Sequence, residues 1–173
     1  MTTTHYQTGL KTQKRLVLER GVKQLGLSCS DEQIDQLLTY LEMLDRWNQA
    51  YNLTAIKDPL EMIGLHLLDS LAVSPMLNGE SCIDVGTGAG LPGIPLAIMN
   101  PNKKFTLLDS NGKKTRFLFQ AKIELKLSNI QEVNTRVEKY LPEHGYDHVL
   151  SRAFKSQPRI PRQIPYWKEP IKR

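Results

Sequence analysis

A glycine-rich stretch between two apolar runs constrains the fold of this chain most strongly. Gly86-Thr87-Gly88-Ala89-Gly90-Leu91-Pro92-Gly93 follows the apolar run Ser81–Val85. That run suits a buried strand, and we expect Pro92 and Pro95 in the first turn of a helix, which tolerates a missing N–H. The glycines let the chain turn sharply and bring bare backbone against a ligand. The stretch therefore predicts a strand, a tight loop and a helix.

The region before this stretch, residues 1–79, is predicted to be an N-terminal helical segment. Apolar residues recur at helical spacing over about residues 10–27, 31–50 and 59–72. Ser30 followed by Gln33 has capping-box spacing, and Asp58 before Pro59 marks the start of the third helix.

After the glycine stretch, apolar strands alternate with helical segments. We expect strands at Lys104–Asp109, Ile130–Val133 and Asp147–Ser151, with a helix over about Phe117–Leu125. Thr135 and Glu138 have capping-box spacing, which predicts a further helix start. This alternation predicts an α/β, Rossmann-like core over residues 80–154, with a parallel sheet and helices on both faces.

The net charge of +5 is concentrated at one end of the chain. Residues 155–173 hold six Lys or Arg and one acidic residue, whereas the remaining residues hold 17 of each sign. The pI of about 9.2 therefore does not indicate nucleic-acid binding by the rest of the chain.

No apolar run approaches the length of a membrane span, and the start of the chain lacks a signal peptide, so we expect a cytoplasmic protein. Cys29 and Cys82 have no metal-ligand spacing and are expected to be reduced and structural.

The glycine pattern also predicts the class of cofactor. A ligand of an open parallel sheet binds beyond the carboxyl ends of the strands, where we expect Gly86–Gly90, Asp109 and Arg152. Nicotinamide and flavin folds have a sixth-position glycine, but here that position is Leu91. This departure favours S-adenosylmethionine, which has no pyrophosphate, although a glycine turn that binds nothing stays open. Gly86–Gly90, including Gly88, would contact the methionine end, and Asp109 would accept hydrogen bonds from both ribose hydroxyls.

Two other clusters leave alternatives open. Trp47-Asn48-Gln49-Ala50-Tyr51-Asn52-Leu53-Thr54 is either a helix end with packed aromatics and capping amides, or a surface that stacks on a substrate base. His66 and Asp69 share a helix face at i, i+3. No third ligand or nucleophile accompanies them, so we predict neither a metal site nor a catalytic triad.

Three motifs together resemble a known family. Asp84–Leu96, with Trp47–Thr54 upstream and Ser151–Phe154 downstream, closely resembles the bacterial 16S ribosomal RNA (guanine-N7) methyltransferases of the RsmG family, also called glucose-inhibited division protein B. The resemblance runs from about Ser30 to Phe154. It implies a class I S-adenosylmethionine-dependent methyltransferase core, a cytoplasmic location, and one guanosine of the small-subunit rRNA as substrate. The implied partner is the 30S subunit, with a monomeric, metal-free enzyme.

The resemblance also implies which residues contact the cofactor. By position these are Gly86, Leu91, Val137, Glu138 and Arg152, which Asp109 joins as the ribose acid. Glu138 could cap a helix with its side chain while its backbone faces the adenine. Basic residues near the same edge could hold RNA phosphates, or could simply be a solvated basic surface: Lys103, Lys104, Lys113, Lys114 and Arg116.

The absence of an obvious base or nucleophile is consistent with transfer to guanine N7. That atom carries a lone pair and no hydrogen, so its attack on the sulfonium methyl needs no general base. Placement supplies the catalysis, and we predict no catalytic residue. Methylation of exocyclic amines commonly uses an Asn/Asp-Pro-Pro-aromatic turn, where this chain has Ser151–Phe154. An oxygen or small-molecule methyltransferase stays open.

Residues 155–173 depart from the family pattern. Four prolines and six basic residues disfavour a stable helix or a central strand. The last strands of the family's sheet are then expected to be missing, which leaves the fourth strand as an exposed edge. We interpret this tail as an out-of-frame or truncated ending, with a functional RNA-binding tail as the alternative. The functional hypotheses are an active rRNA methyltransferase and a catalytically defective remnant that still binds cofactor or RNA.

Overall fold

The computed structural model describes residues 2–152, with side chains from residue 9 onward. The predicted tail, together with Ala153 and Phe154 of the downstream motif, lies outside the described residues. None of the helices in the described part is both long and apolar enough to cross a membrane.

Two long helices open the chain, α1 (Thr2–Gln24) and α2 (Asp31–Tyr51). The predicted capping box of α2 is confirmed, since Ser30 Oγ accepts the Gln33 N–H at 3.2 Å and Gln33 Oε1 accepts the Ser30 N–H at 2.9 Å. Helix α1 begins earlier than the predicted residue 10. Its first residues are polar, so apolar spacing gave no signal for them.

The third predicted helix is continuous but not uniform. It consists of α3 (Pro59–Met62), a π-helix (Ile63–Leu68) and α4 (Asp69–Leu71), followed by a short 3-10 turn (Ser74–Met76). In the π-helix the Asp69 N–H donates to Gly64 O, five residues back, instead of four. Such segments are rare and often occur at functional sites. Helical spacing of apolar residues predicted the helix but not this change of register.

The sheet has four parallel strands in the order β3-β2-β1-β4. Their bounds are β1 Ser81–Val85, β2 Lys104–Asp109, β3 Ile130–Asn134 and β4 His148–Leu150. Helix α5 (Gly93–Met99) connects β1 to β2, and α6 (Gly112–Glu124) connects β2 to β3. The strand order reverses at β1, because β4 pairs with its other side. The predicted parallel Rossmann-like sheet is therefore confirmed, and its reversal point is where a ligand is expected.

The two faces of the sheet are covered differently. One face packs against α5, α6 and the N-terminal helices in a single core that includes Leu37, Leu71, Phe105 and Phe117. The other face, with the buried residues Ile83, Val85, Leu108 and Val149, packs against Val133, Val137, Tyr140 and Tyr146. Helices thus cover one face within residues 2–152, not both. The crossover from β3 to β4 passes over the second face and contains only a 3-10 turn (Val137–Lys139).

Two local predictions need correction. Pro92 is the N-cap of α5 and not part of its first turn, whereas Pro95 does lie there. The capping box predicted at Thr135 and Glu138 is wrong, because the 3-10 turn starts after Arg136 and has no side-chain cap. The Thr135 N–H instead donates to Asp109 O at 3.2 Å. That bond keeps Thr135 with the end of the sheet and out of a cap position.

Candidate cofactor site

The glycine loop has a backbone that favours glycine at three positions. Gly86, Gly88 and Gly90 have φ values of +68°, +62° and +89°. A Cβ at Gly90 would lie 2.4 Å from Ile94 Cδ1. The loop is tied to β2, because the N–H groups of Gly86 and Thr87 both donate to Leu108 O, at 2.8 and 3.1 Å. The loop is therefore held directly above the carboxyl ends of β1 and β2.

Asp109, the last residue of β2, is placed as the sequence predicted. Its Oδ2 accepts the Gly88 N–H at 2.9 Å, and its Oδ1 accepts the Asn111 N–H at 2.8 Å. The residue is 8% exposed. A carboxylate oxygen can accept about two hydrogen bonds, so each oxygen keeps capacity for a ligand hydroxyl. Asp109 thus both supports the glycine loop and offers two acceptors at the end of the sheet.

A cavity of about 580 Å³ opens at this edge. Its volume lies within the usual range for small-molecule and cofactor sites. It is lined by the ends of β1 and β2, by residues that follow each of the four strands, and by Lys114 of α6: Val85, Gly86, Leu108, Asp109, Ser110, Lys114, Thr135, Arg136, Val137, Glu138 and Arg152.

The cavity brings together five of the seven predicted cofactor contacts, namely Gly86, Asp109, Val137, Glu138 and Arg152. Gly88 and Leu91 are not among its lining residues, although Gly88 is joined to it through Asp109. Of the five basic residues predicted near this edge, Lys114 lines the cavity, and Lys113 and Arg116 lie on the same helix without lining it. The prediction is wrong for Lys103 and Lys104, because they lie at the start of β2, at the opposite edge of the sheet from Asp109.

Arg152 follows β4 and joins the cavity to the π-helix. Its Nη2 donates to Leu65 O at 2.6 Å and lies 3.5 Å from Asp69 Oδ2. Its Nη1 lies 3.5 Å from Ser70 Oγ. The guanidinium is thus held by the N-terminal helical segment, more than 80 positions away in the sequence.

Asp84, which the sequence did not single out as a site residue, supports the glycine loop from beneath without lining the cavity. It is fully buried in β1, where its Oδ2 accepts hydrogen bonds from Thr87 Oγ1 at 2.7 Å and from the Gly93 N–H at 2.9 Å. Its Oδ1 has no hydrogen-bond partner among the described residues. Burial raises the pKa of Asp84 to about 7, and the charge of Asp109 adds to this effect. The signal in the sequence was an acid inside an otherwise apolar strand.

Helix α2 also supports the glycine loop. The buried Tyr40 hydroxyl donates to Ala89 O at 2.7 Å. Burial raises the pKa of Tyr40, so this phenol stays a donor at any physiological pH. The centre of the Tyr40 ring lies 6.3 Å from the centre of the Phe117 ring on α6. The N-terminal segment is therefore part of the site's framework, which helical spacing alone did not indicate.

The end of α2 fits the packing-and-capping interpretation. The centre of the Trp47 ring lies 5.5 Å from the centre of the Phe117 ring and 5.3 Å from that of the Tyr51 ring. Asn48 is buried, and its Oδ1 accepts the Thr54 N–H at 2.8 Å. Tyr51 remains 38% exposed, and the ammonium of Lys113 lies 5.9 Å from its ring centre. A base-stacking role for this segment stays a prediction that rests on Tyr51.

The remaining titratable candidates are structural. His66 is buried, and its Nε2 lies 2.7 Å from Thr54 Oγ1. Burial lowers the pKa of His66, and the positive charge of Arg152 lowers it further, so the imidazole is neutral. Cys29 and Cys82 are free, and burial raises the pKa of their thiols to about 11 and about 12, which disfavours the nucleophilic thiolate. Within the described residues, no group of three or more His, Cys, Asp or Glu could hold a metal.

The chain is similar in sequence to proteins of one known family. The family model described as "GidB: rRNA small subunit methyltransferase G" matches residues 33–164, which extends past Phe154, where the sequence analysis ended the resemblance. The chain is 57% identical over 141 residues to the ribosomal RNA small subunit methyltransferase G of Ectopseudomonas mendocina (strain ymp), covering 80% of this chain and 66% of that protein. It is also 57% identical over 153 residues to the protein of that name from Marinomonas sp. (strain MWYL1), covering 88% and 74%.

Among solved structures, a SAM-dependent methyltransferase from Aquifex aeolicus is similar, with 22% sequence identity and a TM-score of 0.47. The aligned region covers 66% of this chain and 55% of that protein.

Proposed function

This chain belongs to the GidB family of rRNA small subunit methyltransferase G proteins, and on that premise we propose that it methylates guanine N7 at one site in 16S rRNA, with S-adenosylmethionine as methyl donor. One observation carries this proposal. A cavity of about 580 Å³ combines the backbone of Gly86 with the acceptor carboxylate of Asp109 at the reversal point of a parallel sheet. The identities of 57% do not favour the defective-remnant alternative.

The described residues fit the cofactor at both of its ends. Each Asp109 oxygen has accepted one protein N–H and can accept one ribose hydroxyl. The turn at Val137 and Glu138 also lines the cavity and would contact the adenine. At the other end, Gly86 presents bare backbone to the cavity.

The chemistry then requires placement more than proton transfer. When bound, the cofactor supplies an electrophilic methyl on a sulfonium. The guanine N7 lone pair needs no proton removed, so none of the buried groups described above has to act as a base. The glycine loop and Asp109 would hold the donor in one orientation. Orientation of this kind can supply several kcal/mol of the rate enhancement.

We assign RNA contact to the basic start of α6. Asn111 caps this helix, because its Oδ1 accepts the N–H of Lys113 at 3.0 Å and of Lys114 at 3.4 Å. Lys113 and Arg116 are exposed, and Lys114 reaches the cavity. Phosphate contacts of this type position an RNA without reading its sequence. The 30S subunit as the natural substrate, a cytoplasmic site of action and a monomeric enzyme complete the proposal.

The test is methyl transfer from labelled S-adenosylmethionine to purified 30S subunits that lack the modification. We expect one methyl per subunit, located at guanine N7 by chemical cleavage of the rRNA. Naked 16S rRNA and small-molecule acceptors run in parallel, and light scattering of the purified chain tests the monomer. Transfer to small acceptors alone, or to a pyrimidine or an exocyclic amine, would contradict the proposal.

A further inference from the structure

We propose that Asp69 and Ser70 are positioning residues that hold the Arg152 guanidinium at the edge of the cofactor cavity. The inference rests on the proposed function, since it assumes that Arg152 meets the cofactor. It adds that the π-helix and the start of α4 form the support for that arginine. Asp69 and Ser70 themselves are not among the cavity-lining residues.

The π-helix makes one backbone acceptor available. In an α-helix the Asp69 N–H would donate to Leu65 O, four residues back. Here it donates to Gly64 O, and Leu65 O accepts a hydrogen bond from Arg152 Nη2 at 2.6 Å. The change of register thus coincides with the position at which the arginine binds.

Two side chains that follow the π-helix complete the arrangement. Asp69 Oδ2 lies 3.5 Å from Nη2, and Ser70 Oγ lies 3.5 Å from Nη1. Ser70 is 2% exposed, and its hydroxyl donates to His66 O at 2.5 Å. Because the single hydroxyl hydrogen is used in that bond, the oxygen faces the arginine as an acceptor.

The three contacts define the orientation of a planar group. A guanidinium has five N–H donors in a rigid fork, so contacts through both Nη1 and Nη2 restrict its rotation. Two of these contacts are hydrogen bonds, to Leu65 O and Ser70 Oγ, and the remaining donors of the fork can meet a ligand in the cavity that Arg152 lines. The Arg152 and Asp69 side chains are 32% and 43% exposed, so their attraction contributes little to folding. The contacts with Asp69 and Ser70 instead fix the orientation of the Arg152 guanidinium, which reduces the entropy lost when a ligand binds.

The experiment measures cofactor binding and turnover for Asp69→Asn and for the double variant Asp69→Asn/Ser70→Ala. We expect the dissociation constant for S-adenosylhomocysteine, from calorimetry, to rise about threefold for the single variant and more for the double variant. The KM for S-adenosylmethionine should rise in parallel, and the KM for 30S subunits should stay unchanged. The matched control is Glu124→Gln, since Glu124 pairs with Arg46 at 3.3 Å and is 35% exposed. The Glu124→Gln variant should bind S-adenosylhomocysteine with the same dissociation constant as the wild type.

A double-mutant cycle separates positioning from a general structural effect. In an Arg152→Gln background, Asp69→Asn should cause no further loss of affinity. An equal loss in both backgrounds, or wild-type affinity of the Asp69→Asn variant, would overturn the inference and leave the proposed function intact. Unchanged affinity of Arg152→Gln alone would also overturn it. A wild-type chain that neither binds the product nor transfers methyl would overturn the proposed function and the inference together.

Discussion

Asp84→Asn tests whether the buried acid beneath the glycine loop makes folding depend on pH. Burial raises the pKa of Asp84 from its ordinary 3.8 to about 7 in the folded protein. Between these values the folded chain binds more protons than the unfolded chain, so the stability due to this group falls as pH rises. The contribution of Asp84 to stability is highest below about pH 4 and has been lost by about pH 7.

The magnitude follows from the same two pKa values. A difference of about three pKa units corresponds to about 4 kcal/mol. That is a large part of the roughly 5–15 kcal/mol by which native proteins are stable. Asparagine resembles the protonated acid, since its amide oxygen can accept the bonds that Thr87 Oγ1 and the Gly93 N–H now make. Relative to the wild type, Asp84→Asn should therefore gain up to about 4 kcal/mol of stability between pH 4 and pH values above 7. This gain adds to a cost that does not depend on pH, because the amide N–H groups replace the buried Oδ1, which has no partner among the described residues.

The assay is urea unfolding of both proteins without cofactor at several pH values from 4 to 8.5. The difference between their free energies of unfolding isolates Asp84, because all other titrating groups are common to both. Asp147→Asn is a control of opposite sign: hydrogen bonds from the Glu80 and Ser81 N–H groups lower the pKa of Asp147, so this variant should lose stability at neutral pH. A difference for Asp84→Asn that does not change with pH would show that Asp84 does not titrate with a raised pKa in the folded protein.

Three further predictions concern the cofactor site and its surroundings. Asp109→Asn should weaken S-adenosylhomocysteine binding about tenfold or more in calorimetry, because charge-assisted hydrogen bonds to the ribose are lost; an unchanged dissociation constant would remove Asp109 from the site. Tyr40→Phe should lower the free energy of unfolding by about 1 kcal/mol, because Ala89 O loses a buried partner; equal urea midpoints would contradict this. Charge reversal of Lys113 and Arg116 should raise the KM for 30S subunits and leave cofactor affinity nearly intact, whereas equal loss of both would show that these residues do not act through RNA.

Local pattern accounts for much of what the sequence predicted correctly. The capping box at Ser30 and Gln33 and the apolar spacing that follows are properties of neighbouring residues, and α2 forms as expected. The glycine loop and the acid at the end of β2 were also found in place, because strand ends of a parallel sheet meet at one edge. The predicted capping box at Thr135, in contrast, does not form. The Thr135 N–H donates to Asp109 O, a residue distant in the sequence, and local spacing cannot indicate such a contact.

The order of the elements, the parallel sheet and the position of the glycine loop follow from the amino-acid sequence alone, since each depends on periodicity or on backbone freedom within a few residues. Two other features are visible only in the folded chain: one sheet face lacks a helix within residues 2–152, and Asp84 is buried with a raised pKa. The support of the glycine loop by Tyr40 and the hydrogen bond from Arg152 to Leu65 O are likewise visible only there. These features depend on contacts between residues far apart in the chain, where burial and a hydrogen-bond partner exist only after the helices pack on the sheet.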